Sequence, residues 1–161
     1  MKEKDCSKFL EAMSKEVHKQ MENGNFSIIK RKKVPKGSTI LPCVWQMKQK
    51  RDIRTRKIKK WKARLNVDGS RMKQGVHYDQ TYAPVASWKS IRLLLMLTIQ
   101  NGWHLRQLDY VSAFPQAPIH KEIYMQIPKG FEIDGGGNGD YVLKLNRNVY
   151  RQKDAGRVWN Q

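Results

Sequence analysis

Residues 60–67 read KWKARLNV, the most regular stretch of this 161-residue chain. The odd-numbered positions are apolar, and the even-numbered positions form a polar, largely cationic series: Lys60, Lys62, Arg64 and Asn66. This alternation predicts a β-strand with one buried face and one cationic face. Such a face suits a phosphate backbone or a triphosphate. Lysines also protect an edge strand from aggregation, and the pattern by itself leaves both interpretations open.

The flanking segments predict a hairpin behind a helix. VWQMK at 44–48 alternates weakly, and the polar run at 49–56 separates it from the strand at 60–67. Residues 7–22 carry apolar side chains every four positions, which predicts an amphipathic helix that ends at Asn23-Gly24. FSII at 26–29 is a short strand candidate.

The second half of the chain predicts a buried helix followed by strands. Residues 87–101 form the strongest helix candidate, capped by Ser87 or Ser90 and stopped by Asn101-Gly102, and apolar side chains nearly surround it. We expect a core strand next at 103–111. The remaining segments predict strands at 122–128 and 141–146, with a flexible tip at 133–140 between them. Together the elements indicate an α+β protein, with a basic β lobe in front of a sheet-and-helix lobe.

The charge is large and concentrated. The net charge is +18, from 32 Lys plus Arg against 14 Asp plus Glu, and residues 30–73 hold 17 of those cations against two acids. This imbalance favours a polyanionic partner, with nucleic acid as the first expectation and a membrane surface as the alternative. No apolar run is long enough to span a bilayer. The N-terminus lacks the apolar region of a signal peptide.

The metal-binding residue types point away from a zinc or histidine site. Cys6 and Cys43 match no zinc or disulfide spacing, which is typical of reduced thiols in an intracellular protein. The four histidines are scattered. Asp109 is different, because it lies between Leu108 and Tyr110 near the end of the expected core strand. It is either a cap for the turn that follows or a ligand for Mg²⁺.

Seven stretches, in order and spacing, resemble the reverse transcriptase of copia-type long-terminal-repeat retrotransposons. They are FLEAMSKEV, VWQMK, KWKARLNVDG, QGVHYDQTYAPVASWKSIRLLL, QLDYVSAF, IYMQIPKGF and VYRQKDAGRVW. The resemblance implies a polymerase right-hand fold, truncated to the fingers and the first part of the palm. Residues 1–86 would be the N-terminal helix and the basic, fingers-like lobe, and residues 87–161 an early and incomplete palm.

The resemblance also implies a two-metal nucleotidyl-transfer site. Asp109 matches the first catalytic aspartate, a ligand of both Mg²⁺ (or Mn²⁺) ions, assisted by the backbone carbonyl of Tyr110. Lys62 and Arg64 match residues that hold the triphosphate of the dNTP, and which of them makes the main contact is open. Phe114 matches the aromatic residue that packs under the sugar and disfavours a 2′-hydroxyl. The alternative for Phe114 is a core position.

Further contacts to nucleic acid are expected from cations of the basic segment: Lys57, Lys59, Lys60, Arg71 and Lys73. The tryptophans at 45, 61, 88 and 103 could stack on template bases, but we expect most of them in the core. The partners implied are an RNA template, a DNA primer, dNTPs and the remaining Pol polyprotein segments. The implied location is intracellular, in a cytoplasmic virus-like particle or in the nucleus.

Several departures from the family pattern matter. In the last stretch Arg151 stands where the family usually has Gly, Asp154 where it has Gln, and Gly156 where it has Pro. The family's second metal-binding element, Tyr-x-Asp-Asp, does not occur in these 161 residues. We therefore expect the chain alone to be inactive while it keeps salt-sensitive binding to nucleic acid. Two alternatives are a non-enzymatic basic nucleic-acid-binding protein and a degenerate transposon relic without a stable fold.

Overall fold

The computed structural model describes residues 3–131, 133 and 139–161. It is an α+β structure, as predicted, with two mainly antiparallel sheets. Short 3₁₀ turns occur at Arg31–Lys33 and Gly69–Arg71. The helices and strands are α1 (Glu3–Glu22), β1 (Phe26–Lys30), β2 (Ile40–Leu41), β3 (Cys43–Arg51), β4 (Ile58–Val67), α2 (Trp88–Gln100), α3 (Ala113–Gln116), β5 (Tyr124–Gln126), β6 (Tyr141–Leu145) and α4 (Ala155–Asn160).

The strands β3 and β4 form the predicted hairpin. They pair antiparallel from Cys43 opposite Val67 to Arg51 opposite Ile58, with a register shift near the turn. The turn is held by Asp52, whose Oδ1 accepts hydrogen bonds from the backbone N–H of Arg54 (2.9 Å) and Thr55 (2.8 Å). A short polar side chain bonded to the backbone ahead of it is the usual way to close such a turn. The strand predicted at 60–67 is confirmed, and Leu65 and Val67 of its apolar face are buried, but Asn66 of the predicted polar face is buried as well.

The second sheet has the strand order β1-β6-β5-β2. β6 pairs antiparallel with both β1 and β5, and β2 pairs parallel with β5. The strands predicted at 26–29, 122–128 and 141–146 are confirmed, the second of them shortened to three residues. The core joins this sheet to the inner end of the hairpin and is made of buried apolar side chains from both: Leu41, Leu65, Val67, Ile123, Met125, Leu143 and Leu145.

Helix α1 packs along β4, so the predicted amphipathic helix is confirmed. Phe9 meets the indole of Trp61 edge to face, with ring centroids 4.7 Å apart. Val17, two turns further on, lies in the core. The helix ends as expected at Asn23-Gly24, where Gly24 adopts a φ of 64° that favours glycine. This packing gives β4 a helical neighbour over much of its length.

Helix α2 is present with the predicted ends, but its predicted burial is wrong. Ser87 caps it by accepting a hydrogen bond from the Ser90 N–H (3.1 Å), and Gly102 follows it with a φ of 63°. Thr98 is the single buried residue of the helix, and Met96 and Ile99 are 68% and 82% exposed. The physical reason is that no strand or helix within the described ranges packs closely against it.

The core strand predicted at 103–111 is also wrong. Within the described part of the chain, residues 103–110 form no ladder, and Leu108 and Val111 are exposed. Trp88 and Trp103 are exposed as well, which corrects the expectation that most tryptophans are core, whereas Trp45 and Trp61 are half-buried. Most of the tip predicted at 133–140 lies outside the described residues. No described helix is both long and apolar enough to cross a membrane.

Candidate functional site

A cleft of about 240 Å³ lies between α1 and β4. Its α1 wall carries Lys15, Glu16 and Lys19, and its β4 wall includes the three cations of the even-numbered face predicted from the sequence. Ser112 and Tyr150 also line it. Cations therefore line both long walls, and the residues that β4 contributes to the cleft are Lys60, Trp61, Lys62, Ala63 and Arg64.

The β4 wall brings like charges close together. Lys62 lies directly opposite Lys48 of β3, and Lys60 lies opposite Lys50. Like charges in opposite positions of an antiparallel pair are destabilising. Partial burial lowers the pKa of Lys62 below its ordinary value, and repulsion from Arg64 and Lys50 lowers it further. An anion in the cleft would relieve this repulsion.

Glu16 is the acidic group that lines this cleft within the described part of the chain. Its charge partly offsets the lowering of the Lys62 pKa. The Gln20 side-chain amide donates a hydrogen bond to the Glu16 carboxylate (3.1 Å), and the Asn25 amide donates to Gln20 in turn (2.5 Å). Gln20 and Asn25 are both buried, so this chain of hydrogen bonds fixes the carboxylate on the α1 wall.

Arg64 and Phe114 both lie next to the ring of Tyr150, a residue that the sequence does not assign to the site. The guanidinium carbon of Arg64 lies 4.9 Å from the centroid of the Tyr150 ring. The Phe114 ring lies 6.2 Å from the same ring at 65°. In the sequence, the signal that points to Tyr150 is its place in the last of the stretches that resemble the family. Phe114 is half-buried, so both of its interpretations stay open.

Asp109 is not among the residues that line the cleft. It is exposed and lies in the extended segment after α2, and the Tyr110 ring that follows meets Trp159 at 5.2 Å. The chain then turns at Ser112, whose φ of 55° is in the left-handed region, into α3 and Phe114. The described residues contain no group of three His, Cys, Asp or Glu side chains that could hold a metal ion. A lone exposed carboxylate does not complete a magnesium site.

The cations predicted to bind nucleic acid are all exposed. Lys57 and Lys59 lie at the turn end of the hairpin. Of these five cations, Lys60 is the one that lines the cleft. Arg71 ends the 3₁₀ turn after β4. Lys73 is exposed, and its backbone N–H donates a hydrogen bond to Nδ1 of His77 (2.9 Å). These side chains are distributed along the hairpin and the following turn.

The segment 149–154 carries the departures noted in the sequence. Arg151 has a φ of 69°, a left-handed conformation that favours glycine, which accounts for the glycine usual at this position in the family. Burial raises the pKa of the Asp154 carboxyl, and its Oδ1 has no hydrogen-bond partner among the described residues. A neutral amide at position 154 would avoid that cost.

Comparison with known proteins places the chain in a family. The family described as reverse transcriptase (RNA-dependent DNA polymerase) matches residues 25–161, most of the chain. The chain therefore belongs to the reverse transcriptase family. Its likeness to transposon Pol polyproteins confirms that it is of the copia type.

Three relatives illustrate this likeness. The retrovirus-related Pol polyprotein from transposon TNT 1-94 of Nicotiana tabacum is 35% identical over 153 residues, 95% of this chain and 11% of that protein. That from transposon RE2 of Arabidopsis thaliana is 33% identical, over 92% of this chain and 10% of that protein. The transposon Ty1-BL Gag-Pol polyprotein of Saccharomyces cerevisiae is 32% identical over 40% of this chain and 3% of that protein. The chain thus spans about a tenth of the two plant relatives. No solved structure matches it significantly.

Proposed function

We propose that these residues form the nucleotide- and template-binding part of an RNA-directed DNA polymerase. Residues 1–86 would act as its fingers and residues 87–161 as its early palm. One observation carries the proposal: Lys62 and Arg64 of β4 line a single cleft with Tyr150, and the Tyr150 ring also contacts Phe114. Arg64, which is matched to the triphosphate, and Phe114, which is matched to the sugar, thus lie next to the same ring, that of Tyr150.

Electrostatics supports a polyphosphate ligand in this cleft. The repulsion that lowers the Lys62 pKa is a cost that the protein carries when the cleft is empty. A triphosphate would offset it and would receive charge-assisted hydrogen bonds from Lys62 and Arg64. The planar guanidinium of Arg64 is suited to binding two phosphate oxygens at once.

The metal chemistry of the proposed polymerase is only partly represented in these residues. Polymerases of this family are in general metal-dependent. We propose that Asp109, with the Tyr110 carbonyl, is one part of a Mg²⁺ or Mn²⁺ site whose other ligands come from further Pol polyprotein segments. Two close cations need more than one carboxylate to offset their repulsion. The 161 residues by themselves should therefore bind substrates without joining them.

A paired-variant binding experiment tests this proposal. Removing both Lys62 and Arg64 (to Ala) should weaken dATP binding about 10-fold or more, because each charge-assisted hydrogen bond is worth about 1.5–3 kcal/mol. The control removes Lys89 and Arg92, two exposed cations of α2, and should change dATP binding less than about twofold. Isothermal titration calorimetry gives both affinities.

The same variants distinguish the alternative, a non-enzymatic basic nucleic-acid-binding protein. That alternative is favoured by the exposed row Lys57, Lys59, Lys60, Arg71 and Lys73. If both double variants lose affinity equally for dATP and for single-stranded RNA, only net charge matters and the proposed site is wrong. Primer extension by these residues alone that disappears in Asp109→Ala would contradict the expected inactivity.

A further inference from the structure

Tyr150 is anchored to β4 by its backbone. Its carbonyl accepts a hydrogen bond from the Val67 N–H (3.3 Å), and it forms a bridge with Asn66. The next carbonyl, that of Arg151, approaches Gly69 so closely that a Cβ on Gly69 would lie 2.3 Å from it. The segment is therefore pressed against the end of β4, and its backbone has little freedom to shift. This places the Tyr150 side chain at a defined point of the cleft wall.

The Tyr150 ring is half-buried and has two neighbours from different parts of the chain. The Arg64 guanidinium lies over it at 4.9 Å, and the Phe114 ring meets it at 6.2 Å. These neighbours come from β4 and from α3, elements that are distant in the chain. One side chain thus contacts both residues that the proposed function assigns to the nucleotide.

The contact with Arg64 holds the guanidinium without using its donors. Among the described residues Arg64 forms no ion pair and no side-chain hydrogen bond. The ring attracts the guanidinium through its quadrupole, and this interaction leaves the N–H groups of Arg64 without an acceptor. A carboxylate partner would instead occupy those N–H groups. Tyr150 can therefore restrict the Arg64 rotamers and leave the phosphate-binding edge free.

We infer that Tyr150 is a positioning residue that sets Arg64 and Phe114 at a fixed separation for a deoxynucleoside triphosphate. The inference rests on the proposed function for its ligand. Its consequence is specificity: loss of the ring releases the triphosphate contact and the sugar contact together. A residue that only stabilised the fold would not couple these two readouts.

The first test needs no ligand. In the full chain, the Arg64 Nε–Hε resonance should carry a ring-current shift from Tyr150, measured by heteronuclear NMR. Tyr150→Leu should abolish this shift, and Tyr150→Phe should keep it, because the tyrosine hydroxyl forms no hydrogen bond to the described residues. An Arg64 resonance that is the same in all three proteins overturns the inference.

The second test measures dATP and ATP binding by calorimetry in the presence of Mg²⁺. Tyr150→Leu should weaken dATP about 3- to 10-fold and reduce the preference for dATP over ATP by about twofold or more. Tyr150→Phe should stay within about twofold of the wild type. Tyr150→Leu combined with Arg64→Ala should weaken dATP binding by less than the sum of the two single losses. Independent, additive losses, or an unchanged dATP/ATP preference, overturn the inference while the proposed function stands.

A variant that leaves Tyr150 in place covers the case in which Tyr150→Leu does not fold. Arg64→Lys keeps the positive charge but has no flat face to stack, and it should bind dATP as weakly as the leucine variant is expected to. Wild-type affinity in Arg64→Lys contradicts a role for the stack. If the wild-type chain binds no triphosphate, the proposed function fails, and the Arg64 resonance alone then supports or overturns the positioning role.

Discussion

Helix α2 has favourable local structure but little burial, whereas the segment at 149–154 has burial but unfavourable local structure. Helix α2 has a serine cap at one end and a left-handed glycine at the other, yet its apolar side chains face solvent. The segment at 149–154 buries Val149 and Gln152 against the rest of the fold. It does so with a left-handed arginine and an unpartnered carboxylate oxygen. Local rules and tertiary packing are therefore satisfied independently, and packing of neighbouring side chains offsets a local cost.

The largest expected effect comes from matched leucine truncations in the two kinds of environment. Leu143 of β6 is fully buried, and Leu93 of α2 is 58% exposed. Leu143→Ala should lower the free energy of unfolding by about 2–5 kcal/mol, through lost burial and the cavity that is left. Leu93→Ala should change it by less than about 0.5 kcal/mol, since alanine also favours helix. Urea denaturation followed by circular dichroism measures both, and a comparable loss at Leu93 would mean that α2 is packed in solution.

A smaller effect is expected from relieving the backbone at Arg151. A non-glycine residue in the left-handed region costs about 1–2 kcal/mol, and glycine loses part of that advantage through its greater entropy when unfolded. Arg151→Gly should therefore raise the free energy of unfolding by up to about 1 kcal/mol. The control Arg151→Ala removes the same charge but retains the Cβ, so it should give no such gain. Equal stabilisation in both variants would assign the effect to charge.

The smallest effect should appear at Asp154 and should depend on pH. Burial raises the pKa of this carboxyl in the folded chain above its ordinary value. Protonation is therefore easier when folded, and the penalty for the charge develops as pH rises through the ordinary aspartate pKa towards the folded one. Asp154→Asn should be more stable than the wild type at neutral pH, with a difference that vanishes below about pH 3.

Thermal melts of the two proteins across this pH range measure that difference. Asp154→Glu keeps the charge and should show no gain at neutral pH. A stabilisation by Asp154→Asn that is the same at low and at neutral pH would mean that the amide gains a contact, and that desolvation of the carboxylate is not the cause.

Sequence patterns predicted the elements more reliably than their surroundings. The hairpin, α1, the strands at 26–29, 122–128 and 141–146 and the ends of α2 were all predicted, because alternation and capping depend on residues close in the chain. The burial of α2 and the strand at 103–111 were mispredicted for one reason. An apolar pattern indicates that a segment favours burial, but it does not say whether a partner lies against it.

The candidate site likewise has features that the sequence predicts and features that depend on the tertiary structure. By itself the sequence determined the cationic face of β4 and the net charge of the chain. Through resemblance it also determined the family, since each of these is encoded in residue type and spacing. Only the tertiary structure decided that Arg64 and Phe114 share the ring of Tyr150, and that Arg151 is left-handed. Those relations join segments distant in the chain, and they arise when residues 149–154 dock on the end of β4, which no local pattern specifies.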